Sequence, residues 1–340
     1  MLMVLNLHSF SGYTHGSGVW QALDFFREST SICAVDCFIL ISGYFGIKWK
    51  FKSIFNLVFQ IFFYSVGIYL VVVWLGIVDW NLKDFIMRFA CLFENSWGFA
   101  ITYVLLWFCS PALNALAEMT RARQLFFYVL VFFFVINFVS VPRFALFTYA
   151  LVYMIGRLLK KINVEERHFP TGRAYWITTI FIFLLVYFLV FKTLHITSAS
   201  SVTKWPVGFL AYDYAAPLVI LQAVFLFVFF SKLTIQSNFI NWCATSCFAI
   251  YLIHMHPTIK YIGYYGYTRS LYDYPVAQHI LFLIMLIVGV LCGSILVDKL
   301  RIVISNIIYC MLERIIGLIP VKWYKIETYM PKFAAIIADK

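Results

Sequence analysis

Residues 280–297 read ILFLIMLIVGVLCGSILV, an apolar run without a single charged side chain. A transmembrane helix needs about 20 apolar residues to cross roughly 30 Å of hydrocarbon, and this run is long enough. Ile177–Phe191 is a second run that is apolar on every side. Such runs predict an all-α fold, a polytopic transmembrane helical bundle.

The composition agrees with this class. The chain has 340 residues, of which 63% are hydrophobic and 12% charged, and its mean hydropathy is +0.89. Soluble domains carry about 25% charged residues on average. A soluble chain of this length could not cover its surface with so few charges.

We predict about ten spans within one domain, residues 1–298. The predicted spans are Met1–Ser11, Ser29–Ile47, Ile54–Val78, Trp97–Leu116, Leu125–Phe138, Phe144–Leu159, Tyr175–Phe191, Ala215–Phe230, Phe239–His254 and Ile280–Val297. Since the first run is about half the length of a span, we expect the first helix to be truncated at its N-terminus. Residues 299–340 are predicted to form a cytoplasmic amphipathic tail, because polar residues recur at helical spacing on an apolar background.

The basic residues predict the orientation. A net charge of +11 suggests nucleic acid in a soluble protein, but in a membrane chain cytoplasmic loops rich in Lys and Arg explain it better. Lys48, Lys50 and Lys52 form the tightest cluster. With that cluster in the cytoplasm, both termini are cytoplasmic, His8 lies near the outer end of its helix, and the lipid bilayer is the partner rather than nucleic acid.

Several chemistries are disfavoured. The eight cysteines lie mostly inside apolar segments and form no CxxC pair, so we predict small apolar packing and no metal site. The chain has no Walker-type loop, no HExxH and no GxSxG. ATP-driven transport, zincin chemistry and serine-hydrolase chemistry are therefore disfavoured.

The candidates for chemistry are the few ionisable groups within spans. His8 follows an apolar run, Asp36 lies inside the second span, and His254 ends the ninth; His15, in a polar loop, is a weaker candidate. An intramembrane ionisable group is a functional-site hypothesis by default. These groups could form a general base with an orienting partner, or a proton relay in a transporter, and each could instead make an ordinary structural hydrogen bond.

At these residues the sequence resembles the acyltransferase 3 family of polytopic membrane acyltransferases. The run DCFILISGY, residues 36–44, resembles the family's second-helix signature, and the basic residues Lys48–Lys52 follow it. Trp97, Tyr103, Pro111 and Asn114 are similar to a Trp–Tyr–Pro–Asn pattern, and FAIYLIH, residues 248–254, resembles a late-helix run. The order and spacing of these fragments carry the resemblance over most of the chain.

The resemblance implies an O-acyltransferase, most simply an O-acetyltransferase, of the bacterial inner membrane. Acyl-CoA, commonly acetyl-CoA, would be the donor substrate with no bound cofactor, and the acceptor a hydroxyl of an exopolysaccharide or other surface glycan, or of its lipid-linked precursor. His8 and Asp36 are then the expected catalytic residues, with Ser42, Tyr103 and His254 as accessory candidates. Lys50 and Lys52 are expected to bind acyl-CoA, although topology control alone would also explain them.

Two departures from the family pattern leave alternatives open. The family's best-known motif places an arginine upstream of the first-helix histidine, and that position would precede Met1. The third helix begins with lysines where arginines are usual, and lysine cannot reproduce the bidentate phosphate contact of arginine. The alternatives are an inactive truncated relative and a glycan exporter or flippase with a His/Asp proton relay.

Overall fold

The computed structural model describes residues 1–9, 19–91, 97–138, 145–166, 171–187 and 213–318, and the regular structure in these ranges is helical. Short 3-10 segments lie at Val164–Glu166 and Leu271–Asp273. The α-helices in the described ranges are α1 (Leu2–His8), α2 (Val19–Ser31), α3 (Ala34–Phe45), α4 (Phe51–Trp74), α5 (Leu82–Phe89), α6 (Gly98–Met119), α7 (Ala122–Phe138), α8 (Ala145–Lys161), α9 (Thr171–Val186), α10 (Pro217–Ser231), α11 (Asn238–Ala244), α12 (Cys247–His254), α13 (Tyr264–Ser270) and α14 (Val276–Leu318). The predicted all-α class is confirmed.

Several of these helices are long and apolar enough to cross a membrane. By length and composition they are α4, α6 and the Val276–Leu312 part of α14. The apolar helices α7, α9 and α10 are shorter. The protein is therefore a helical membrane protein of the polytopic class.

Two predicted spans differ from the helices. Phe239–His254 is not one span but two helices, α11 and α12, with a break at Thr245 and Ser246. The Lys299 ammonium donates to the Trp242 carbonyl and, at 2.7 Å, to the Thr245 hydroxyl, so it satisfies groups at the end of α11. The predicted second span begins inside α2, and the chain turns at Ile32 and Cys33 before α3 starts.

The chain divides into two compact units. The first unit comprises Met1–Gly46, Leu116–Gln236 and Tyr267–Ile287. Its centre is the pair α3 and α8, and α10 packs against both α9 and α3. Gly43 of α3 and Gly156 of α8 lie against each other's backbone: a Cβ built on Gly156 would lie 2.5 Å from the Leu40 carbonyl oxygen. Only the absence of side chains at the crossing lets the two helices approach so closely.

The second unit comprises Ile47–Ala115, Ser237–Gly266 and Val288–Lys340. Here α4 packs against α5 and α12. A line of polar contacts also joins α4 to α14, and we call it the polar seam. Its members are Lys52, Asn56, Gln60 and Tyr64 on α4, and Asp298, Arg301, Ser305 and Tyr309 on α14.

The polar stripe of the predicted tail thus contacts α4 within this unit. Ser305 donates to the Asn56 side-chain oxygen at 3.2 Å, and the Lys52 ammonium lies 4.9 Å from the centre of the Tyr309 ring. The helix continues through Asp298 to Leu318 without a break. Residues 319–340 of the predicted tail, and His15, lie outside the described residues. The boundary at residue 298 stays a prediction.

Candidate active site

His8 is the last residue of α1, and its side chain is half-buried. The helix is anchored by Val4 and Leu5, which are buried, and it packs against α2 and α3. The apolar residues at the start of the chain therefore bury one face of α1, and the imidazole lies at the end of this helix.

Asn6 and Ser9, which lie two residues before and one residue after His8, are hydrogen-bonded to α2. The Asn6 amide donates to the Ser31 hydroxyl at 2.7 Å and to the Arg27 carbonyl at 3.2 Å. The Arg27 guanidinium donates to the Ser9 hydroxyl and, at 3.4 Å, to the Asn6 side-chain oxygen. Polar contacts thus hold the end of α1 two residues before His8 and directly after it.

The same guanidinium is tied to a more distant part of the first unit. Its Nη1 lies 3.0 Å from a carboxylate oxygen of Asp24, and the Tyr272 hydroxyl contacts both oxygens of that carboxylate at 2.7 Å. The Tyr272 ring lies against the His279 ring, with centroids 4.7 Å apart. Asp24, Arg27 and Tyr272 were not among the site residues predicted from the sequence. The short spacing of Asp24 and Arg27 on one helix face was the available signal.

Asp36 lies near the start of α3 and is fully buried. Neither carboxylate oxygen has a hydrogen-bond partner among the described residues, His8 included. Its helix packs against α1, so the structure brings the helices of His8 and Asp36 together without a direct bond between the two side chains. A buried carboxylate without a partner costs free energy, so stability alone does not explain this residue.

The accessory candidates are placed in both units. Ser42, in the first unit, donates to the Phe38 carbonyl one turn earlier, at 2.9 Å. Tyr103, in the second unit, is half-buried and stacks on Phe99 with ring centroids 6.0 Å apart. His254, also in the second unit, is buried and contacts the Ile250 carbonyl through Nδ1.

His256, which the sequence places beside His254, has a structural role that the geometry makes explicit. Its Nε2 lies 3.0 Å from the Ser65 carbonyl, and its Nδ1 accepts from the Thr258 backbone N–H at 3.3 Å. A ring nitrogen that faces a carbonyl must carry the proton, so this imidazole is the neutral Nε2–H tautomer. Both nitrogens are committed, and the ring joins α4 to the turn after α12.

The predicted donor-binding lysines lie at the start of α4. Lys50 is the residue before the helix and is exposed, and Lys52 lies in its first turn. Lys48 is exposed as well. Three ammonium groups thus follow one another at one end of the second unit. Among the described residues, no group of three His, Cys, Asp or Glu side chains is placed to hold a metal ion.

A second cluster of charged residues lies at the C-terminal end of α8, in the first unit. The Tyr44 hydroxyl donates to the Glu165 carboxylate, and the Lys160 ammonium lies 3.4 Å from the same carboxylate. The hydrogen bond from Tyr44, and with it the contact from Lys160, holds the pKa of Glu165 below its usual range. This carboxylate therefore keeps its charge at neutral pH and ties the turn after α8 to the end of α3.

Comparison with known proteins supplies the family. The acyltransferase 3 family model, described as an acyltransferase domain, matches residues 1–299. No curated protein and no solved structure matches the chain. The match covers the first compact unit and the second up to residue 299, and it contains His8, Asp36, Lys50, Lys52, Ser42, Tyr103 and His254. The chain belongs to the acyltransferase 3 family and is a membrane acyltransferase.

Proposed function

We propose that this acyltransferase moves an acyl group, in the simplest case acetyl, from acyl-CoA to a hydroxyl of a cell-surface polysaccharide or its lipid-linked precursor. We place it in the bacterial inner membrane with both termini in the cytoplasm. The single observation that carries the proposal is the position of His8. It is a half-buried imidazole at the end of a helix, between two residues that are hydrogen-bonded to α2.

His8 suits the role of general base. An imidazole takes up a proton near neutral pH, so it can remove the proton from a sugar hydroxyl as the oxygen forms its bond to the thioester carbonyl carbon. The tetrahedral intermediate then collapses, the carbon–sulfur bond breaks, and the leaving thiolate receives the proton from the imidazolium. The products are the sugar ester and free CoA. In this scheme Asp36, on the helix packed against α1, stabilises the imidazolium.

Lys50 and Lys52 are proposed to attract the phosphates of the donor. Their support is the clustering of exposed ammonium groups at the start of α4, because a cluster of one sign raises the local concentration of an anionic substrate. Since lysine acts as a point charge, we expect attraction without the bidentate geometry that arginine provides.

The direct test replaces His8. We expect His8→Ala and His8→Gln to abolish acylation of the glycan, because neither side chain can exchange a proton near pH 7. The two variants differ in size and hydrogen bonding, so agreement between them excludes a packing effect. NMR spectroscopy of the purified polysaccharide measures the ester content, and immunoblotting of membranes checks that the protein is present.

The exporter alternative gives a different result in the same cells. Loss of transport would leave unmodified glycan behind the membrane, whereas loss of acyl transfer leaves normal export of a glycan without esters. A His8→Ala strain with a fully acylated surface glycan would refute the catalytic role.

A further inference from the structure

We infer that Arg27 is a positioning residue for His8 and sets the orientation in which the imidazole meets the acceptor hydroxyl. This inference rests on the proposed function, since it assigns a role to Arg27 through the catalytic role of His8. Arg27 lies on α2, outside every motif that carries the family resemblance. Its contacts, rather than its position in the sequence, point to this role.

The Arg27 guanidinium forms a set of hydrogen bonds at the end of α1, with Ser9, Asn6 and Asp24, which we call the fork. The guanidinium donates to the Ser9 hydroxyl, to Asn6 Oδ1 at 3.4 Å and to Asp24 Oδ1 at 3.0 Å. Asn6 returns a bond to the Arg27 carbonyl at 3.2 Å. Ser9 follows His8 directly and Asn6 lies two residues before it, so the Arg27 guanidinium binds one side chain on each side of the imidazole.

The surroundings make this fork rigid. The Arg27 side chain is 12% exposed and that of Asp24 is 8% exposed, so the ion pair is largely shielded from water. Tyr272 holds the other side of the Asp24 carboxylate at 2.7 Å. A planar guanidinium can serve several acceptors in fixed directions, whereas an ammonium cannot. The position therefore requires arginine and not merely a positive charge.

The attachment of α1 does not depend on this fork. Val4 and Leu5 are buried, and the Asn6 amide has its own bond to Ser31 at 2.7 Å. Removing the guanidinium therefore leaves the helix packed but frees its last turn, which carries His8. Misplacement of a catalytic group by about 1 Å can cost about 100-fold in rate.

The test compares Arg27→Ala, Arg27→Lys, Ser9→Ala and the Arg27→Ala/Ser9→Ala double variant in acyl transfer by the full-length protein. We expect Arg27→Ala to lower kcat by about 100-fold with an unchanged KM for acyl-CoA. Lysine should fail to restore the rate. The double variant should be no slower than Arg27→Ala, because residues that act as one unit are not additive.

Arg157→Ala is the matched control. Arg157 belongs to the same unit, is 16% exposed, and lies 3.4 Å from the Glu118 carboxylate on a different helix pair. This variant should keep its kcat, and its melting temperature shows how much stability the loss of a shielded arginine removes. If both variants lose a similar amount of stability but only Arg27→Ala loses kcat, the result supports a positioning role for Arg27.

Other results separate the inference from the proposed function. If His8→Ala abolishes transfer while Arg27→Ala keeps kcat, or if lysine restores full activity, the inference is wrong and the proposed function stands. If His8→Ala keeps full activity, the proposed function is wrong. If Arg27→Ala raises KM for acyl-CoA at unchanged kcat, Arg27 acts on the donor and not through His8.

Discussion

At the scale of single residues, two buried carboxylates have opposite surroundings. Asp298 accepts from Tyr64 at 2.9 Å, from Gln60 at 3.2 Å and from Nε and Nη2 of Arg301. Asp36 is just as buried, yet neither oxygen has a hydrogen-bond partner among the described residues. The hydrogen bonds of Asp298 explain why a carboxylate is tolerated there, whereas no such bonds within the described part of the chain explain the burial of Asp36.

This contrast leads to a prediction for Asp36→Asn. Because an unpaired buried carboxylate costs free energy, the amide should leave the melting temperature unchanged or raise it. Acyl transfer should fall by about 100-fold or more, in the range that proton-transfer catalysis contributes. A thermal shift assay in detergent and an acyl-transfer assay measure the two effects.

Asp298→Asn is the matched control for that prediction. It removes the same charge from an equally buried site whose oxygens are fully bonded, so it should lower the melting temperature. If Asp36→Asn lowers the melting temperature as much as Asp298→Asn does, the carboxylate is structural and the catalytic proposal for it is wrong.

Residue-level prediction from sequence reached only some of the site. His8 and Asp36 were predictable, because a titratable group inside an apolar run is visible in one sequence. The bonds of Arg27 to Asn6 and Ser9 were not, nor was the contact of Tyr272 with Asp24 across 248 positions, since a single sequence contains no signal for such pairing. The roles of His8 and Asp36 stay predictions.

At the scale of helices, the crossing of α3 and α8 leads to a second prediction. Gly43→Ala and Gly156→Ala should each destabilise the protein, because the added methyl group meets backbone of the facing helix, which cannot turn away as a side chain can. A cost of about 1–3 kcal/mol is usual for overpacking. Thermal or denaturant unfolding in detergent measures it.

Gly67→Ala is the control for the crossing. Gly67 lies within α4, and a Cβ built there meets nothing within 4 Å. Alanine should stabilise this helix by about 0.5–1 kcal/mol, because glycine is a poor helix former. Equal effects at all three glycines would show that helix propensity, and not close approach, decides the outcome.

The polar seam of the second unit allows a third prediction. Arg301→Met alone should destabilise by about 3–5 kcal/mol, because it leaves the Asp298 carboxylate buried beside neutral groups. Asp298→Leu/Arg301→Met should recover much of that loss, since a buried ion pair replaced by apolar side chains is often neutral. Unfolding of the variants in detergent checks both; a double variant less stable than Arg301→Met would contradict it.

The sequence predicted these helices unevenly. The bounds of α7, α8 and α10 lie close to their predicted spans, because apolar runs set them directly. The break between α11 and α12 was missed, since the residue that bonds the groups at the end of α11 is Lys299, which is distant in sequence. The stripe at Arg301 and Ser305 was visible, but one sequence could not show that it contacts α4.

At the scale of the whole molecule, the net charge of +11 bears on the donor. Lys50→Gln/Lys52→Gln should raise the KM for acyl-CoA at unchanged kcat, because in the proposed function these lysines attract the phosphates of the donor and take no part in the reaction. The effect should shrink as salt is added, since the Debye length falls from about 30 Å at 0.01 M to about 10 Å at 0.1 M. Steady-state kinetics at two salt concentrations measures it.

Lys83→Gln/Lys260→Gln removes the same charge from α5 and from the segment after α12, outside the Lys48–Lys52 cluster. Its KM for acyl-CoA should equal that of the unmodified protein. If both double variants raise KM equally, the net charge acts and not the cluster at α4. If neither does, Lys50 and Lys52 serve topology alone.

The class of the whole molecule was the most predictable property. Apolar runs of spanning length and a low fraction of charged residues indicate a membrane protein, whichever helices pack together. The two compact units were not predicted, because their segments alternate along the chain and only contacts reveal them.

One helix carries a practical consequence. The Val288–Leu318 part of α14 is about 45 Å long at 1.5 Å per residue, and even a tilt of about 40° leaves roughly 35 Å along the bilayer normal. The hydrocarbon layer is only about 30 Å thick. Some turns of this helix therefore stand in the headgroup layer or in water. A second helical protein can be fused to these turns so that its helix continues α14, and it can then serve as an alignment marker for electron cryo-microscopy.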